Sequence, residues 1–229
     1  SALTSVKRAQ NAWCDCSGLT SFDTSDLIAA DNIHNAWAGC YGLTSFDTIG
    51  LTSITSVFGA WAGCRGLTSF DTSNLTNVTS AYHAWGNCTG LTSFDTSPLA
   101  SVTDIHEAWK DCPGLTHFDT SGLTAVTNAG GAWEKCIGLK SFDASGLTSV
   151  TEAGSAWWDC TSLVCFNELD STGFTDKDNM FLNCPALTSP DATKQADLMD
   201  ADGAAWFNPN DCPFIPIEFQ AVVKTKTGS

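Results

Sequence analysis

Six aspartates recur every 24 residues, at Asp23, Asp47, Asp71, Asp95, Asp119 and Asp143, always directly after a phenylalanine. Stacked coils would hold such carboxylates ~4.8 Å apart, where each neighbouring pair repels by ~0.9 kcal/mol in water. Something must offset that repulsion. Acceptance of backbone N–H groups in an Asp-Thr-Ser bend would do so locally. A row of this kind could also gather Ca²⁺ or a basic partner. Ca²⁺ takes six or more oxygens, a density no loop here shows, so the local bend is the better reading and Ca²⁺ stays an open ligand.

A second chemistry lies where the repeat relaxes. Three residues before successive tryptophans stand His34, Phe58, Tyr82 and His106, then Gly130 and Gly154. A purely structural repeat does not require four consecutive large rings that give way to glycine. Tyr41, Arg65, His83 and Glu107 occupy nearby varied positions. Aromatic and Arg clusters are where binding energy concentrates, so these eight residues form the candidate binding ridge. Ser69, Asp71, Ser93 and Asp95, on a neighbouring polar face, are expected to add hydrogen-bonding contacts. The threonine column Thr55, Thr79, Thr103, Thr127 and Thr151, beside Thr52, Thr76, Thr124 and Thr148, offers another reading, since a regular threonine array resembles the face of ice-binding solenoids. Extended backbone also favours Thr for its own sake. Catalysis is not expected. Ser, His, Asp and Cys fall in rows rather than in one constellation, and Cys14-Asp15-Cys16 lacks the second ligand pair of a zinc site.

The elements that must position these residues follow from the same period. Trp13, Trp37, Trp61, Trp85, Trp109, Trp133 and Trp157 are spaced by 24 without slippage, as are Cys16, Cys40, Cys64, Cys88, Cys112, Cys136, Cys160 and Cys184. Two side-chain types locked to one period mean stacked identical coils, a solenoid. In the coil from Cys64, Leu67, Phe70, Leu75, Val78, Ala81, Ala84 and Trp85 point inward. Leu67 to Ser73 reads as a short strand with Phe70 in and Ser69 and Asp71 out. Leu75, Val78 and Ala81 suit a tight arc, Ala84-Trp85-x-x-Cys88 reads as one helical turn, and Gly66 supplies a return bend. The tryptophans belong to the core, because seven exposed indoles would make a large apolar patch. Each buried indole N–H then needs an acceptor, most simply a carbonyl of the next coil. Parallel side chains in one column rarely reach disulfide geometry, so the cysteine row is read as buried free thiols. Cys14, Cys165 and Cys212 break the pattern and could pair or stay free.

The chain of 229 residues carries 25 acids against 10 bases, a net charge of −15. That balance disfavours nucleic acid and anionic membrane, which need clustered cations. No apolar run approaches the ~20 residues of a membrane span. Residues 1–191 form the array, about eight coils of which the first is incomplete, so more protein or a larger assembly is expected alongside it. Residues 192–229, with Pro209, Pro213, Pro216 and the off-period Trp206, read as a C-terminal cap and tail.

The repeat A-W-x-x-C-x-x-L-x-x-F followed by L-x-x-V resembles the BspA-type bacterial leucine-rich repeat, A-F-x-x-C-x-x-L-x-x-I. Met180-Phe181-Leu-Asn-Cys184 has the M-F-x-x-C form common in that group. The resemblance covers residues 3–191, with Trp for Phe, Phe for Ile and Thr after Asp as departures. It implies a right-handed leucine-rich-repeat solenoid, displayed on a bacterial surface or a phage tail tip and acting in adhesion. The expected function is therefore recognition of a host-cell receptor, protein or glycan, from an extracellular, cell-surface or virion position. An ice-binding protein and a non-adhesive interaction scaffold are the alternatives.

Overall fold

The structure is a computed structural model and describes residues 3–187, apart from 167, 168 and 170–172. Asn167, Pro190, Trp206, Cys212 and the cap assigned to 192–229 lie outside the described residues.

Every pairing between coils steps by 24. In one column β1 (His117–Asp119), β2 (Ser141–Asp143) and β3 (Cys165–Phe166) form a parallel sheet in the order β1-β2-β3. Phe118 stands opposite Phe142, and Phe142 opposite Phe166. In a second column single parallel bridges run Ser56–Ser80–Asp104–Asn128–Glu152–Asp176, with a further bridge from Arg8 to Asn32. A strand in every coil is expected, but among the described residues regular strands occur only in the three coils of β1–β3. Earlier coils follow the same path with sparser bonds, such as Thr68 N–H to the Thr44 carbonyl at 3.0 Å and Asp71 N–H to that of Phe46 at 3.1 Å.

The Ala-Trp-x-x-Cys segment is not a helical turn. Its N–H groups alternate between two uses. Ala60, Ala62 and Cys64 donate three residues back, to Val57, Gly59 and Trp61, at 3.0–3.1 Å. Gly59, Trp61 and Gly63 instead donate to Tyr82, Ala84 and Gly86 of the next coil, at 2.7–3.0 Å. An α-helical turn would spend all of these groups inside its own coil. The zigzag needs a left-handed residue at two positions four apart, and each coil supplies them: Asn35 and Gly39, Gly59 and Gly63, His83 and Asn87, Glu107 and Asp111. Asn, Asp and Gly tolerate that conformation best. The described residues contain one short 3₁₀ turn, Ser97–Leu99.

The core is a herringbone of rings. Trp13 to Trp157 stack in sequence with centroids 5.2–5.9 Å apart and planes within 9°. The phenylalanines from Phe22 to Phe166 form a parallel stack beside them, at 5.3–6.5 Å. Each Phe from Phe22 to Phe142 meets two indoles at a steep angle, and Phe166 meets Trp157 and Phe181; Phe46 lies 4.7 Å from Trp37 and 5.2 Å from Trp61, at 64° and 67°. Such geometry suits aromatic quadrupoles. The expected indole hydrogen bonds are absent: the Nε1 groups of Trp37, Trp61, Trp85, Trp109, Trp133 and Trp157 are buried without a partner. The tryptophan carbonyls are occupied otherwise. Trp61 O accepts Cys64 N–H at 3.1 Å and the Cys88 thiol of the next coil at 3.2 Å. The same thiol bond recurs from Cys40 to Cys184.

Two further columns tie the coils. Thr24, Thr48, Thr72, Thr96 and Thr120 are buried, and Thr72, Thr96 and Thr120 donate their hydroxyls to Asp95, Asp119 and Asp143 carbonyls at 2.7–3.0 Å. Gly42, Gly66, Gly90, Gly114 and Gly138 sit in close approach to the preceding coil, whereas Gly18 has no such neighbour and Ser162 and Ala186 take the same position further along. A Cβ on Gly42 would come within 2.7 Å of the Leu19 carbonyl oxygen, and Gly66, Gly114 and Gly138 face carbonyls of the preceding coil in the same way.

The cysteine column is reduced, and Cys14 is also a free thiol, whereas Cys165 is disulfide-bonded. Burial pushes Cys64 and Cys136 up to about 12, from an ordinary value near 9.0. Folded thiols thus keep protons that unfolded ones lose. Their contribution to stability is full below pH 9 and is lost as pH rises toward 12. The thermal midpoint should fall between about pH 8 and about pH 10.5, and fall less in Cys64→Ala/Cys136→Ala; equal slopes would show that the thiols do not drive the loss.

Candidate recognition surface

The bridge column continues directly into the ring column. In each coil the bridge residue and the ring position two residues later flank a buried residue (Ile33, Val57, Ala81 or Ile105), so both lie toward the outside. The bridge residue also fixes that backbone. Asn32, Asp104, Asn128 and Asp176 accept the N–H of His34, His106, Gly130 and Asp178 at 3.0–3.1 Å.

The four predicted rings come together as one stack. His34 and Phe58 lie 5.5 Å apart at 47°, Phe58 and Tyr82 at 4.9 Å and 6°, and Tyr82 and His106 at 5.1 Å and 16°. Phe58 is 39% exposed, while His34, Tyr82 and His106 are half-buried. Beyond His106 the column reads Gly130, Gly154, Asp178. The His106 imidazole overlies Gly130, where a Cβ would lie 2.7 Å from Nδ1. The Asp176 carboxylate overlies Gly154 in the same manner, at 2.5–2.7 Å.

Tyr41 and Arg65 meet as well, the guanidinium lying 5.3 Å from the centre of a ring that is 48% exposed. His83 and Glu107 belong to an ion network that the sequence did not reveal in full. Lys110 Nζ lies 2.7 Å from Glu107 and 3.0 Å from the buried Glu134, and Lys135 Nζ lies 3.6 Å from Glu134. Lys135 also approaches the Trp158 ring, at 6.0 Å. His83 packs its ring over Gly86 and sets Nδ1 3.6 Å from Glu107. Burial pushes the His83 imidazole below its ordinary value, against the pull of the Glu107 carboxylate. Burial alone would raise Glu107, but the hydrogen bond and charge of Lys110 hold its carboxyl below the usual range. For Lys110 burial acts downward, and its two glutamates overcome it and raise the ammonium. Lys110 and Glu134 occupy one column with opposite charge, 24 residues apart, and Lys135 the next column, so no repeated residue type marks the network.

Ser69, Asp71, Ser93 and Asp95 are exposed, about half a repeat along each coil from the rings. They make a separate polar face rather than a margin of the ridge. Asp71 and Asp95 accept the N–H groups of Ser73 and Ser97 at 2.9 Å, and Asp23, Asp47, Asp119 and Asp143 do the same at 2.8–2.9 Å. Every member of the row thus occupies one carboxylate oxygen in a local bend. Among the described residues no group of three His, Cys, Asp or Glu is placed to hold a metal. The threonine column is likewise locked: Thr79, Thr103, Thr127, Thr151 and Thr175 each donate a hydroxyl to the threonine carbonyl one coil back, at 3.1–3.3 Å.

The fold has a solved counterpart in a leucine rich repeat protein of T. pallidum, 19% identical over 74% of this chain and 76% of that one, with a TM-score of 0.56. The fold is a bacterial leucine-rich-repeat fold. Looser superpositions relate the chain to a leucine rich cell surface protein of Faecalibacterium prausnitzii, 17% identical over 86% of this chain and 73% of that one (TM-score 0.35), and to the functional domain of InlJ from Listeria monocytogenes, which includes a cysteine ladder, 18% identical over 75% and 50% (TM-score 0.28). No family model and no curated protein matches the chain. The leucine-rich-repeat coils hold their rings and charges on a surface with a fixed period. No helix of the described residues is long and apolar enough to cross a membrane.

The bends of the aspartate row give a direct expectation. Added Ca²⁺ should raise the melting temperature no more than NaCl of equal ionic strength, because screening is all it supplies. A distinctly larger rise with Ca²⁺, lost in Asp71→Asn/Asp95→Asn, would restore the cation reading.

Proposed function

We propose that this chain is a non-catalytic recognition module, displayed outside the cell on a bacterial surface or a virion, that binds a receptor on a host cell. The observation that carries the reading is the exposed ring stack His34–Phe58–Tyr82–His106. The interior tryptophan, cysteine and phenylalanine columns keep one residue type from Trp13 to Trp157, Cys16 to Cys184 and Phe22 to Phe166, because each ring stack or thiol bond is repeated in the next coil. At the ring column rings yield to glycine and then to aspartate while the backbone path stays the same, so the coil does not need them. Rings left at a rigid surface are well suited to binding, since little conformational entropy remains to be lost. Tyr41 with Arg65, and His83 with Glu107, extend the contact area. Multipoint contact over several coils would let modest individual terms add.

The leucine-rich-repeat fold is compatible with this role without specifying it. The test is binding of labelled protein to a panel of intact bacterial cells, with Phe58→Ala/Tyr82→Ala beside it. Selective binding that drops at least about tenfold in the variant is the expected result. Binding kept in the variant would move the site to the Ser69/Asp71/Ser93/Asp95 face, and no binding to any cell would end the adhesion reading.

The locked threonine row favours one second reading, an ice-binding face, because its hydroxyls are already ordered. That reading requires thermal hysteresis abolished by Thr103→Tyr. An ordinary freezing point removes it.

A further inference from the structure

The ring stack has a geometry that selects among partners. Phe58 is flanked by the rings of His34 and Tyr82, and Tyr82 by those of Phe58 and His106, with planes 6° and 16° apart in the parallel pairs. The ring faces of Phe58, Tyr82 and His106 are therefore turned toward one another along the stack, and His34 leans on Phe58 at 47°. On the far side of His106 the imidazole covers the Gly130 backbone. What the surface offers outward is a row of ring edges. A sugar ring stacks on an aromatic face, so this ridge presents poor ground for a pyranose. Ring edges, which carry the positive end of the quadrupole, instead suit van der Waals contact with aliphatic or aromatic side chains.

The same line changes character along its length. From His34 to His106 it is aromatic. From the fourth coil onward the bridge and ring columns contribute Asp104, Glu152, Asp176 and Asp178, of which Glu152, Asp176 and Asp178 are exposed. Of the cations near the acidic half, Lys110 lies on Glu107 and Glu134, Lys135 on Glu134, and Lys177 stands between Asp176 and Asp178, while the exposed Arg8 opens the bridge column at the aromatic end. The acidic half therefore complements a basic partner, and it continues a surface whose other half is apolar.

From this we infer that the recognition surface takes an extended polypeptide segment of segregated character, apolar in one half and rich in Arg or Lys in the other, lying along the stack axis. This rests on the recognition reading above and narrows its partner to protein. With coils ~4.8 Å apart, the aromatic half spans roughly 15 Å and the acidic half about the same. An extended chain covers each half with about five residues at ~3.3 Å per residue. The apolar half of the segment packs on the ring edges. Its guanidinium or ammonium groups pair with the exposed carboxylates of Glu152, Asp176 and Asp178. Those pairs are exposed and screened by salt, so they set orientation and specificity more than affinity.

The test uses the full chain and labelled peptides of about twelve residues, read by fluorescence polarisation. One peptide carries an apolar half and an Arg-containing half. A second has the same composition with Arg and apolar residues alternating, and a third has Glu in place of Arg. An oligosaccharide array runs in parallel. The segregated basic peptide should bind at least about tenfold more tightly than either control. Phe58→Ala/Tyr82→Ala should weaken it by a similar factor. Glu152→Gln/Asp176→Asn should remove the preference for Arg over Glu, while Asp71→Asn/Asp95→Asn, an equal change in net charge on the other face, should leave it.

Equal loss in the two charge variants would reduce the effect to net charge and overturn the inference. So would a glycan bound by the chain and lost in Phe58→Ala/Tyr82→Ala, or failure of the segregated peptide to outbind its controls. The two readings fail separately. Cell binding that depends on Phe58 and Tyr82, with no peptide preference, leaves recognition standing and removes the peptide partner. Cell binding indifferent to these rings removes the ridge itself.

Discussion

Each coil completes its hydrogen bonds and ring contacts on its neighbours, through pairings that repeat with the 24-residue period. The carbonyl of one tryptophan serves both the next turn of its own coil and the thiol of the coil beyond. Alternate N–H groups of the Ala-Trp segment reach across in the same direction. A single insertion would misalign all of these columns at once. The indole N–H groups are left without partners under this arrangement, a cost of about 1–3 kcal/mol each for a buried donor. Burial and stacking of the indole rings offset it.

That dependence separates the interior from the surface. Inside, the columns with directional contacts hold one residue type over most of the array, Trp between Trp, Phe between Phe and Thr below an Asp carbonyl, while an aliphatic column varies in size, as Ile33, Val57, Ala81 and Ile105 do. Outside, a column can change type without disturbing the register. The ring column uses this freedom fully, passing from imidazole and phenyl to glycine and then aspartate on a constant backbone path. The ion network of Glu107, Lys110 and Glu134 crosses columns and coils, and it begins near where the rings end.

Several misreadings share a physical origin. Spacing of apolar residues at Ala84, Trp85 and Cys88 fits an α-turn and a zigzag of three-residue turns equally well, because both return those side chains to one side. The signal for the zigzag lay in its outward residues, Asn35 with Gly39 and Gly59 with Gly63, which favour left-handed backbone. The indole acceptors were expected from a general rule on buried donors, yet the nearby carbonyls were already taken by thiols. Gly66 does sit in the expected turn, and the carbonyls of the coil beneath add a steric reason for glycine that the sequence does not show.

By itself the sequence determined the period, the inward columns and the ring column, since these depend only on which residue types recur in a chain that must bury its apolar face by stacking. The tertiary structure decided how the rings face one another, which carboxylate oxygens are spent on local bends, and which cations are already paired. Those outcomes depend on side chains from different coils meeting in space, at distances and angles that a linear period does not contain.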